Sequence, residues 1–298
     1  MQVNTSHSHV LPVISLLFAA TLWGVYWKPL RWLVEQGLSG DWIVLLVYCG
    51  TLIYVPFLLW KHWREFAHSP GLLLGIALAS GWCNTAFILG ILEGKVVSVT
   101  LLFFLSPVWA TFMARFFLKE ILTKQAYVVL LIAFAGALMI LWKPELGLPW
   151  PSSRADWYGV TSGMAFALAN VLINKASCVC TQVKTTSAWL GAIVISGSLI
   201  LLNANELVVP SAAVALKAIV VGMLGMGVMT LSVTYGISKL PVHRSAVIML
   251  FEVVVASVSS LLLAQEATRP IEWVGGAAVM LAAYMAIRHL PEPKPEVC

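Results

Sequence analysis

The chain has 298 residues, of which 60% are hydrophobic and 10% charged, with a formal net charge of +5 and a mean hydropathy of +0.91. Soluble domains carry about 25% charged residues, so a soluble globular protein is excluded. The basic residues sit in short linkers between apolar runs, which is the distribution of membrane topology, and no nucleic-acid partner is expected.

A helix needs about 17–25 mostly apolar residues to cross the hydrocarbon core. Ten stretches meet this in chain order: 10–33, 42–60, 70–92, 96–117, 124–142, 156–175, 185–205, 215–238, 242–264 and 270–287. They are continuous apolar runs and not strand-like alternations, so the fold class is an all-α membrane protein. The first nine residues carry no Lys or Arg, and no small-residue cleavage site ends the first span, so that span is expected to be retained. The linker 143–155 is rich in proline and serine and divides the chain. The expected organisation is a first five-helix repeat over 1–142, the linker, a second five-helix repeat over 156–290, and a cytoplasmic tail over 291–298.

The two halves share a written pattern. Residues 96–141 and 242–287 correspond at a constant offset of 146. Each begins with a span broken near its middle, at Ser106-Pro107 and at Glu252-Val253, followed by a glutamate, Glu120 or Glu266. Five spans is an odd number, so the repeats enter the bilayer from opposite sides and are inverted about an axis in the membrane plane. With the N-terminus inside, eleven Lys and Arg fall on inner segments and seven on outer ones. This predicts both termini on the cytoplasmic side of the cytoplasmic (inner) membrane. Trp32, Trp42, Trp142, Trp150, Trp157 and Trp273 fall near the outer interface and Trp60 and Trp63 near the inner one, as an aromatic belt does.

Polar residues inside spans are candidates for the cargo path. Glu252 lies about 15 Å into span nine, near the midplane, where a carboxylate is costly unless it is paired, protonated or facing a cavity. It is the expected binding and coupling residue. Asn84, Asn170 and Asn174 offer amides to a cargo or to another helix, and Tyr26 joins them from span one. Trp23, Trp27, Trp82 and Trp109 lie inside their spans and are candidates for an aromatic lining, with packing as the plainer reading. Lys28, beside Pro29 and near Arg31, lies close to the outer end of span one, where it either contacts an anionic group or snorkels. His243 and Arg244 open span nine on the inner side, His243 as a gate residue or both as interface anchors. Five cysteines give no disulfide framework. Cys178-Val179-Cys180 has no neighbouring histidine or second cysteine pair in sequence, so no metal and no cofactor are expected.

Several short signatures carry a likeness to one family. They are Leu22-Trp23-Gly24-Val25-Tyr26 followed by Arg31, Glu252-Val253-Val254 in span nine, Pro107 in span four, and the span ends Leu118-Lys119-Glu120 and Ala264-Gln265-Glu266. With these and its five-plus-five plan, the chain resembles the EamA family of the drug/metabolite transporter superfamily over nearly its whole length. It departs from the family pattern in lacking the proline of Glu-Pro-Val and both glycines of Leu-Gly-Glu. The resemblance implies a ten-helix carrier of small organic metabolites, often an exporter. The expected function is secondary active transport of an amino acid or related amphipathic compound by alternating access, with proton exchange at Glu252. The expected partners are that cargo, protons and the lipid bilayer, in a monomer or homodimer. The alternatives are an importer or exchanger of the same fold, or a membrane-embedded enzyme, although paired aspartates and His-Glu-x-x-His are missing. No phosphate-binding loop is present, so primary pumping by this chain alone is excluded.

Overall fold

The structure, a computed structural model, describes residues 10–67, 69–94, 96–118, 123–142, 151–202, 209–264 and 269–289. Among them there are helices and no strands. Helix α1 is Val10–Glu35, and α2 (Gly40–Thr51) runs through a 3-10 turn into α3 (Val55–Leu59). A 3-10 segment, Trp63–Ala67, leads to α4 (Pro70–Glu93), then α5 (Val96–Phe103), α6 (Ser106–Phe117) and α7 (Lys124–Leu141). The second half holds α8 (Arg154–Lys175), α9 (Thr181–Leu202) and α10 (Ala212–Val221), then a π-helical stretch, Gly222–Met226, continuing as α11 (Gly227–Lys239). It closes with α12 (Val242–Met249), α13 (Phe251–Ala264) and α14 (Pro270–His289).

Local chemistry sets the starts. Ser153 and Asp156 form a capping box at α8, satisfying amides that have no partner within the helix. Thr123 accepts from the Ala126 amide at α7, and Ser211 from that of Val214 at α10. Proline opens α4 and α6, where the missing amide hydrogen is not needed.

Seven helical stretches are long and apolar enough to cross a membrane, and α7 and α14 carry shorter apolar stretches, Lys124–Ile140 and Trp273–Met285. Helix α8, expected as the sixth span, falls in neither group. Thr161, Ser162, Asn170 and Asn174 dilute its apolar character, and 12 of its 22 residues are buried. It packs on α4, α5 and α6, and Ser162 and Asn170 are buried, while Thr161 bonds the Trp157 carbonyl of its own helix. Phe57, Phe116 and Leu201 are more than 70% exposed, which is stable only where hydrocarbon is the solvent. Trp32, Trp60, Trp63, Trp142, Trp157 and Trp273 are exposed as an interfacial belt demands. Trp189 is fully buried and donates to Thr230.

The broken spans follow the repeat closely. Helices α5 and α12 end at Phe103 and Met249, 146 residues apart. Both breaks precede the expected positions, so Ser106 and Glu252 open the second helix of each pair instead of marking the turn. At the turns the backbone tightens to three-residue spacing, as in Val108 N–H to Leu105 O and Val253 N–H to Leu250 O. Lys119, Glu120, Gln265 and Glu266 lie outside the described residues.

The core lies between the sequence halves and not within each. Helix α4 packs on α8 and α9, α1 on α11 and α13, α2 on α9 and α10, and α7 on α14. Three of these crossings bring backbone onto backbone at glycine. A Cβ on Gly81 would strike Gly191, and one on Gly191 would strike the Ala77 carbonyl. Gly50 and Gly222 close on Ile219 and Val47 in the same way, and Gly136 and Gly275 close on each other. In a bilayer no hydrophobic force draws helices together, so this close van der Waals approach is the main source of cohesion. Gly191→Val is therefore expected to destabilise the protein by about 2–3 kcal/mol through overpacking. Gly71→Ala, at a position with nothing within 4 Å, is the control and should cost about 0.5 kcal/mol or less. Thermal unfolding in detergent compares the two.

Candidate functional site

The turns that follow α5 and α12 contribute to the same buried cluster. Phe104 and Leu250, in the turns, are 5% and 1% exposed and belong to one buried cluster with Val247 and Val253. One residue into α13, Glu252 is half-buried. It has no hydrogen bond or ion pair among the described residues. The buried Cys83 thiol of α4 lies within electrostatic reach of it, and Cys83 in turn is near Tyr48 of α2. Span nine is fixed against span one by a short polar clamp: Trp27 Nε1 donates to Ser259 Oγ at 3.0 Å, and Ser259 Oγ donates to the Gly24 carbonyl at 2.8 Å. Gly24 allows this approach, since a Cβ there would strike Val255.

Aromatic rings from several helices surround this region. Trp23, Phe166 and Phe251 pack against the buried cluster that contains Met249, at the end of α12. Phe103 stands against Phe87 and Phe166 with centroids 4.7 and 5.6 Å away.

The remaining candidates divide. Asn170 is 1% exposed, and its Nδ2 has no partner among the described residues. Trp109 Nε1 is in the same condition. Asn174 Nδ2 donates to the carbonyls of Ile237 and Leu240 at 3.1 and 2.8 Å, tying α8 to the end of α11. Asn84 turns its amide to Ser80 on its own helix. Tyr26 donates to the Val221 carbonyl at 3.0 Å, beside the π-helical stretch, and Tyr54 donates to that of Met223 at 2.7 Å. Their rings sit on Gly225 and Gly227, where any side chain would collide. The indoles do not form a shared box: Trp23 lies edge-on to Tyr26 and Trp82 edge-on to Tyr158. Lys28 is exposed on α1, and Arg31 lies over the Trp27 ring. His243 and Arg244 are inside the bundle, 9% and 4% exposed.

Sequence reasoning did not single out Phe87, Phe103 or Phe166, nor the buried, unpartnered hydroxyls of Tyr48 and Thr85. Their only signal was a place within an apolar run. Because Asn174 bridges two helices, Asn174→Ala is expected to lower stability by about 1–2 kcal/mol. Asn84→Ala, which removes only a bond within one helix, should cost about 0.5 kcal/mol or less. Melting curves in detergent test the difference.

No curated protein sequence matches the chain. Among 27 matching chains of solved structures, one described as "Crystal structure of protein" aligns over 95% of this chain and 99% of its own, at 14% identity and a TM-score of 0.71. That likeness is one of fold. The model of the EamA-like transporter family matches residues 10–142 and again 153–288. The chain is therefore a multi-pass membrane protein with a two-repeat plan and belongs to the EamA-like transporter family.

Proposed function

We propose that this protein is a secondary active transporter moving a small organic metabolite, an amino acid or related amphipathic compound, out of the cell across the cytoplasmic membrane by alternating access. Membership of a transporter family supports the class. The observation that carries the finer reading is Glu252, a half-buried carboxyl inside an apolar span that no described protein group pairs. A carboxyl inside a span is costly until something neutralises it. A proton and the cationic group of a cargo are the two candidates, and they compete for the same two oxygens. Such competition is the simplest form of proton–cargo exchange.

Ten crossings in two inverted halves account for the packing. The pairs α4 on α9 and α2 on α10 exchange under the two-fold, as do α4 on α8 and α1 on α11, while α7 on α14 maps onto itself. On this reading both termini are cytoplasmic. The sequence halves are not themselves the moving bodies, because separating them would break most of the core. The turns after Phe103 and Met249 and the π-helical stretch at Gly222–Met226 are the natural hinges, since there the regular helical bonding is interrupted.

The test is thermal stabilisation of the purified protein against a panel of amino acids, nucleosides, sugars and organic cations, at mildly acidic and mildly alkaline pH. An amine-bearing amphipathic compound is expected to stabilise the protein in a pH-dependent way, and Glu252→Gln should remove both the effect and its pH dependence. A stabilising compound whose effect persists unchanged in Glu252→Gln sinks the coupling role.

A further inference from the structure

A second cluster of ligating side chains lies away from Glu252, at the end of the bundle where α3 stops and α9 starts. His62 and Glu65 belong to the connection after α3, and Cys180 immediately precedes α9. One ligand atom from each, His62 nitrogen, Glu65 carboxylate oxygen and Cys180 sulfur, lies within 4.8 Å of the others. In sequence Cys180 had no partner for a metal. The fold supplies two from the opposite half.

The cluster is held by its own backbone. Glu65 Oε2 accepts the Cys180 amide at 2.8 Å, and Glu65 Oε1 lies 2.7 Å from His62 Nδ1. The amides of His62 and Glu65 donate to Leu59 and His62 carbonyls at 3.0 and 2.9 Å, and Phe66 packs onto the buried cluster below. Burial works against the charge of Glu65, yet the Cys180 amide and the His62 ring together hold its carboxyl below the ordinary value. Burial raises the Cys180 thiol. The cluster is reached from a cavity of about 430 Å³ lined by Pro56, Phe57, Trp60, Lys61, His62 and Gln182.

We propose that His62, Glu65 and Cys180 form a binding site for a zinc-class divalent ion, which joins the two sequence halves at this end of the protein. The donor set fits that class. Thiolate and imidazole are soft or borderline ligands that favour zinc over magnesium and calcium, which take oxygen. One carboxylate and one thiolate neutralise a divalent ion. Bonds of about 2.0–2.3 Å in a tetrahedron place the donors roughly 3.3–3.7 Å apart, so the three need to shift by only about 1 Å. Two cations are near: Lys61, which lines the cavity, and Lys184, on the first turn of α9, whose donation to Ser238 Oγ at 3.3 Å directs it toward α11. An ion here reinforces the contact that Glu65 already makes across the halves.

The test is calorimetric titration of the chelator-stripped, detergent-purified protein with zinc chloride. One ion per chain is expected, with no heat from magnesium or calcium chloride. His62→Ala and Cys180→Ser should each weaken binding about tenfold or more. His62 is 35% exposed, so its replacement leaves the fold intact, and melting curves check both variants. Cobalt chloride provides an independent readout: a thiolate-to-cobalt absorption band is expected, and Cys180→Ser should abolish it while Cys49→Ser preserves it. Absence of stoichiometric zinc binding, or binding unchanged in both variants, overturns the proposal and leaves the cluster as a helix-capping contact only.

Discussion

The structure depends on backbone meeting backbone across the two halves. Where Gly81 crosses Gly191, where Gly50 and Gly222 close on the opposing helix, and where Gly136 meets Gly275, no side chain intervenes. Lipid tails are as apolar as leucine, so burying leucine in this bundle gains little. What holds the helices is the number of atoms in contact at short range, and that number is greatest where the Cβ is missing. The polar clamps add direction to this contact. Trp27, Ser259 and the Gly24 carbonyl fix α1 against α13, and Asn174 fixes α8 against the end of α11.

A near-two-fold scaffold alone would treat its two faces alike. Two features break the equivalence. At the start of the second helix of each broken span, one half has the small hydroxyl of Ser106 and the other has Glu252. Span eight carries a π-helical stretch whose neighbouring carbonyls accept from Tyr26 and Tyr54. Charge at the break and backbone irregularity thus both belong to the second half, which makes the two repeats unequal.

Much of the plan was legible because it is written locally. Span length and the offset of 146 depend only on runs of apolar residues and on where they stop. The breaks were found to within a few residues for the same reason. A lone Glu252 in an apolar run stands out in the sequence because an intramembrane carboxyl has few explanations. What could not be read was partnership. Nothing in the sequence separates Phe103, at the centre, from Phe112 and Phe116, which face outward. Asn174 and Asn170 are one helical turn apart in similar surroundings, yet one meets two carbonyls and the other none among the described residues. Cys180 is more than a hundred residues from His62 and Glu65, and only the folding of one half onto the other brings them together.

The interleaving also dictates an order of assembly. Helices are released into the membrane from the N-terminus onward, so α1, α2, α4 and α7 are made before the faces they pack against most extensively. Until α9 arrives, the glycine groove of α4 around Gly81 is open to lipid, and α7 waits for the last helix, α14. Few of the strong contacts are available to the first half alone. The protein must therefore be held as a loose set of inserted helices through most of its synthesis, and it condenses only when the C-terminal helices are laid into place.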